Sequence, residues 1–122
     1  MGAPTSEKTA IIISGTVNMP PENIEAAMAA AGPLIAGALT EKGCQDYDWC
    51  PDPQNPGTIR VFERWASEED LHVHLNDKWY FDMRETLAQF GITGADTAKY
   101  RVDLQEPVYD ETGVARADFF TG

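Results

Sequence analysis

The segment Phe62-Glu63-Arg64-Trp65-Ala66-Ser67-Glu68-Glu69-Asp70-Leu71-His72-Val73-His74 gathers an acid, an indole and an imidazole near one strand-to-helix junction. Imidazole titrates near neutral pH, so His74 can deprotonate a phenol or an acidic C–H. The alternative for His74 is a bond to a carboxylate or carbonyl that fastens its helix to the sheet. Glu63 is the expected partner in either case. It sits between Val61 and Trp65 on an apolar strand face, where a carboxylate needs a partner or a proton. Its expected role is structural, and Trp65 is either core or a platform for a ring.

Tyr47, Trp49, Trp79, Tyr80 and Phe81 are numerous for so short a chain. They can line a pocket for a flat ring system, or pack as ordinary core. Arg84 can orient a polar group or stabilise an anionic intermediate, or form a surface ion pair. His72 lies two positions from His74, off its helix face, and is expected to be exposed. The candidate set is therefore His74 as base, with Trp65, Tyr47, Trp49, Trp79, Tyr80 and Arg84 holding a small aromatic substrate. No metal set, HExxH, phosphate-binding loop or nucleophile elbow is present. The serines are Ser6, Ser14 and Ser67, the last better used as a helix cap. Hydrolase and nucleotide chemistry are set aside.

The elements that must position these residues follow from periodicity. Thr9 to Val17 reads as a strand covered on both faces, because Ile11, Ile12 and Ile13 are consecutive. A helix follows Pro20-Pro21, with Ile24, Ala27, Met28, Ala31, Leu34, Ile35 and Leu39 at helical spacing. Gly32-Pro33 predicts a kink or break, and Gly43 a C-terminal stop. Cys44 to Cys50 is a second strand, with Gln45, Tyr47 and Trp49 on one face. Pro51 to Gly57 is a loop. Thr58 to Trp65 is a third strand, Ile59, Val61, Glu63 and Trp65 pointing one way. Ser67 and Asp70 make a capping box. Leu71, His74 and Leu75 form a stripe, Asn76-Asp77 breaks it, and Trp79, Met83, Leu87 and Phe90 resume it up to Gly91. Ala98 to Glu106 alternates as a fourth, edge-type strand.

The order β-α-β-β-α-β is the split arrangement of ferredoxin-like folds: α+β, an antiparallel sheet with helices on one face. Apolar residues on the other face call for a cover, most simply a second copy of the chain. The 122 residues suit one domain. Residues 1–8 read as an N-terminal extension, 9–107 as the domain and 108–122 as a polar tail, whose Phe119-Phe120 pair docks on the body or on a partner. A net charge of −11 argues against nucleic acid and anionic membrane surfaces. Cys44 and Cys50, on one strand, would lie about 20 Å apart, too far for a disulfide. Free thiols and the absence of a signal segment point to the cytoplasm.

Several segments in order resemble one family: Glu41-Lys42-Gly43-Cys44-Gln45-Asp46-Tyr47, Asp52-Pro53, Phe62-Glu63-Arg64-Trp65-Ala66-Ser67, then Leu71 and His74. This set is similar to the antibiotic biosynthesis monooxygenase domain, which includes small quinol monooxygenases, over roughly residues 10–108. Lys42 stands where the family often has proline. The resemblance implies a homodimeric α/β barrel built from two ferredoxin-like sheets, with a pocket between sheet and helices in each subunit. It also implies oxidation of phenols, quinols or polyketide-like aromatics with O2, without metal, flavin or haem. Binding without turnover, isomerisation and decarboxylation on the same fold stay open. A haem-degrading branch uses an Asn, a Trp and a His ligand. Here His74 aligns with that Trp and Arg84 with that His, which argues against haem degradation.

Overall fold

The computed structural model describes residues 9–120; the expected N-terminal extension, residues 1–8, lies outside them. Four strands, β1 (Ala10–Asn18), β2 (Cys44–Pro51), β3 (Thr58–Trp65) and β4 (Gly94–Val102), form one antiparallel sheet in the order β2-β3-β1-β4. Helices α1 (Ile24–Leu39), α2 (Glu68–Leu75) and α3 (Lys78–Gln89) pack against one face. The fold is the expected ferredoxin-like α+β arrangement, with β1 and β3 central. No helix of the described residues is long and apolar enough to cross a membrane.

The sheet's inner face follows strand alternation. Ile59, Val61, Glu63 and Trp65 are all buried, while Arg60 and Phe62 are exposed. Trp65 pairs with Ile11 and Cys44, and Val17 pairs with Ile59. Small residues bring α1 close to the core: Ala27, Ala31, Gly37 and Ala38 are buried. A Cβ on Gly37 would lie 2.4 Å from the Trp79 ring, so the indole sits directly on the α1 backbone.

Four expectations are corrected. First, α1 runs through Gly32 and Pro33 without a break. Both residues are exposed, and the buried alanines on the opposite stripe hold the helix in place, so packing outweighs the lost backbone bond. Second, α1 stops at Leu39 rather than near Gly43. Thr40 caps it by donating its hydroxyl to the Gly37 carbonyl at 2.6 Å, and Gly43 (φ +81°) serves the next turn against Asp70. Third, a bulge between Cys44 and Asp46 puts Gln45 outside. The inner face of β2 is therefore Cys44, Tyr47 and Trp49. Fourth, β4 begins at Gly94, not Ala98. Thr93 N–H donates to the Asn18 carbonyl at 2.8 Å, so pairing with β1 starts at once and ends where β1 does, Val102 opposite Ala10.

After β4 the chain forms a small turn of its own. Tyr109 bridges to Ala115, and Asp110 Oδ1 accepts from Thr112 and Val114 N–H. Phe119 borders a surface hollow with Ile12, Arg64 and Val102 on the outer sheet face.

Candidate active site

His74 stands on the last turn of α2, and that helix is placed by its start. Ser67 Oγ accepts from Asp70 N–H at 3.1 Å, and Ala66 N–H donates to the Gly43 carbonyl at 2.8 Å. The cap and the three acids after it suit the positive end of the helix. His74 is 1% exposed. Its ring stacks on Trp65, centroids 4.5 Å apart and tilted 31°. Tyr47 and Tyr80 meet it edge-on at 5.4 and 5.8 Å.

The histidine's partner is Glu41, not Glu63 as expected. His74 Nδ1 lies 2.6 Å from Glu41 Oε1. Glu41 sits in the turn after α1, where its N–H donates to the Ala38 carbonyl at 3.0 Å. Glu63 instead accepts the Trp65 indole N–H at 3.0 Å, a pair within one strand face.

Burial governs the charges here. Glu41 is pushed up to about 7 by burial and by the Asp77 carboxylate beside it. Burial also raises Glu63, partly offset by the Trp65 hydrogen bond and the nearby His74. It lowers His74, with the Glu63 and Asp77 carboxylates acting the other way. Burial and the charge of Glu63 push the Tyr47 hydroxyl up. When Glu41 is ionised it holds the imidazole proton on Nδ1 and stabilises an imidazolium, leaving the Nε2 lone pair as the base.

A cavity of about 330 Å³ opens beside this group between α2, α3 and the sheet. Of the expected site residues, His74, Tyr47, Trp49, Tyr80, Arg84 and Glu63 line it. Trp65 is fully buried behind His74, and Trp79 packs on Gly37 under the Lys78 ammonium; neither reaches the cavity. The remaining wall is apolar, chiefly Ile13, Val61, Met83, Leu87 and Ile92. Among the described residues no group of three or more His, Cys, Asp or Glu is placed to hold a metal ion. Sequence reasoning missed Glu41 as a site residue, although it opens the first segment of the family resemblance. It also missed the apolar wall, whose residues read simply as core.

Several solved structures share this fold. Among solved structures, a conserved protein from Methanosarcina mazei Go1 superposes with a TM-score of 0.70 at 24% identity, over 80% of this chain and 96% of that one. A Deinococcus radiodurans protein named as a candidate antibiotic biosynthesis monooxygenase gives 0.74 at 19%, over 82% and 99%. One of the same description from Caulobacter crescentus CB15 gives 0.68 at 18%, over 82% and 93%. At these identities the likeness is one of fold. None of the curated proteins matches the chain. The family pattern of the antibiotic biosynthesis monooxygenases matches residues 10–85, from β1 into α3, and the chain belongs to that family.

Proposed function

We propose that the cavity is the active site of a cofactor-independent monooxygenase acting on a small phenol, quinol or polyketide-like aromatic. The observation that carries this reading is His74: a buried imidazole, oriented through Nδ1 by Glu41, lining an apolar cavity with two tyrosines. His74 Nε2 takes a proton from the substrate's hydroxyl or acidic C–H. The resulting anion gives an electron to O2, and the radical and superoxide combine at carbon. Loss of water then turns a ring CH2 into C=O, one oxygen atom going to product and the other to water. Tyr47, Trp49 and Tyr80 hold the ring, and Arg84, exposed at the cavity's edge, orients a polar group of the substrate. The family membership supports this chemistry.

The expected assembly and setting complete the proposal: a homodimer through the outer sheet face, in the cytoplasm, with residues 9–107 as the domain. A panel of anthrones and naphthohydroquinones, with O2 uptake followed in metal-free buffer, tests the activity. Uptake is expected, and His74→Ala is expected to lower it by about two to four orders of magnitude. Background uptake only, or full activity in that variant, would refute it. A ligand that raises Tm and is recovered unchanged would favour a binding module, and turnover under nitrogen would favour isomerisation or decarboxylation.

A further inference from the structure

The chain carries 20 acidic residues and only 9 Lys and Arg, so where its unpaired cations lie is informative. Arg60, Arg64 and Arg116 sit on aspartates. Among the described residues Lys42, Lys78, Arg84, Lys99 and Arg101 have no carboxylate partner, and all are exposed. Of these, Arg84 and Lys99 bear on the cavity. Arg84 lines the cavity from α3, its guanidinium 5.9 Å from the centre of the Tyr80 ring, another lining residue. Its N–H donors are left open. Lys99 stands beside the lining, on β4. Ala95 and Thr97 of β4 line the cavity, and Lys99 is the next residue on that face. Its ladder partner, Ile13, lines the cavity too.

The cavity is therefore polar at two separated places. Its buried end holds Glu63 and His74, which can accept a hydrogen bond from a hydroxyl. Its exposed rim carries Arg84 on α3, with Lys99 next to the β4 side of the lining. Apolar side chains lie between. A molecule with net charge −11 repels anions at long range, so a neutral ligand has no use for unpaired cations at this mouth, whereas an anionic one does. The volume is at the lower end of the range for small-molecule sites, about 300–1,000 Å³.

We propose that the cavity takes a hydroxyaromatic acid, a compact fused-ring compound whose hydroxyl meets Glu63 and His74 and whose carboxylate lies at the mouth between Arg84 and Lys99. The proposal rests on reading the cavity as a ligand site and adds the ligand's charge and its orientation. The reacting hydroxyl is thereby delivered to the base, and the acid group stays near water.

Binding under nitrogen tests this apart from turnover. A hydroxynaphthoate and its methyl ester, matched in ring and hydroxyl, are titrated by calorimetry. The acid is expected to bind more tightly than the ester. Arg84→Gln and Lys99→Gln are each expected to weaken the acid by about two- to fivefold, the range for exposed charge pairs, and to leave the ester unchanged. Lys42→Gln removes the same charge from the turn before β2 and is expected to change neither. Equal binding of acid and ester, equal losses for both in the variants, or binding of neither overturns the proposal. A preference for the acid without any O2 uptake would refute oxygenation and leave this inference standing.

Discussion

At the scale of single residues, Glu41 decides how His74 behaves. Its carboxyl titrates near pH 7 because it is buried beside Asp77, and only its ionised form stabilises the imidazolium that proton abstraction creates. The rate constant kcat/KM is expected to rise as pH passes through about 7. Glu41→Gln removes that inflection and lowers kcat/KM by about ten- to a hundredfold, the worth of one charge-assisted hydrogen bond. A pH–rate profile of both forms checks this; an unchanged inflection would show that another group titrates. Glu63 leads to a stability prediction. Burial raises its pKa in the folded state, so the folded protein binds that proton more tightly than the unfolded chain does. This contribution to stability is complete below the carboxyl's ordinary value of 4.5 and is lost as pH rises through the raised one. Glu63→Gln lacks this loss. Its Tm relative to wild type is expected to climb between pH 4.5 and pH 8, as calorimetric scans across that range would show. The sequence made Glu63, Trp65 and His74 legible because they are neighbours along the chain. Glu41 was not, because 33 positions separate it from His74 and only the packing of α1 against the sheet closes that distance.

Elements are legible in proportion to how much of their pattern is apolar. Strands β1 and β3, both central, are read to within a residue of their ends, and the Asn76-Asp77 break is seen directly as the gap between α2 and α3. Strand β4 is misplaced by four residues because Asp96 and Thr97 look like loop, and its true register is set by Thr93 pairing with Asn18. A polar edge strand borrows its boundaries from its neighbour. The same logic assigns Trp79 wrongly: it belongs to an aromatic run, but α3 turns it toward α1. Gly37→Ala puts a methyl into that indole, and overpacking of this kind costs about 1–3 kcal/mol. A lowered urea midpoint with an unchanged m-value is the expected result. Ser67→Ala removes the cap of α2 and costs about 1 kcal/mol. Because α2 is only 8 residues long and carries His74 at its far end, the same change is expected to lower kcat more than it raises KM.

For the whole molecule, the open question is what covers the outer face of the sheet. Phe62 and Tyr100 are exposed there, 37% and 55%, with Ile12 between them on β1. Phe62 is paired with Ser14 and Asp48, Tyr100 with Ile12. The surrounding arginines are neutralised in place, Arg64 on Asp46 at 2.8 Å and Arg60 on Asp52 at 3.0 Å. Among the described residues Asp48 and Asp96 stay on this face without an ion pair, so two copies that meet here bring like charge into the contact, on a chain of net charge −11. The remaining charge on each copy still repels the other at long range, and salt screens that repulsion over about 10 Å at 0.1 M. The dimer is thus expected to tighten as salt is raised, the reverse of an interface held by ion pairs. Phe62→Glu places a charge on the patch without touching the cavity on the opposite face. It is expected to give a monomer that keeps its fold by circular dichroism. Sedimentation equilibrium of wild type and variant at low and high salt measures both effects. A wild-type monomer at every salt concentration would leave the outer face to residues 103–120 alone, whose Phe119 already borders the hollow beside Ile12.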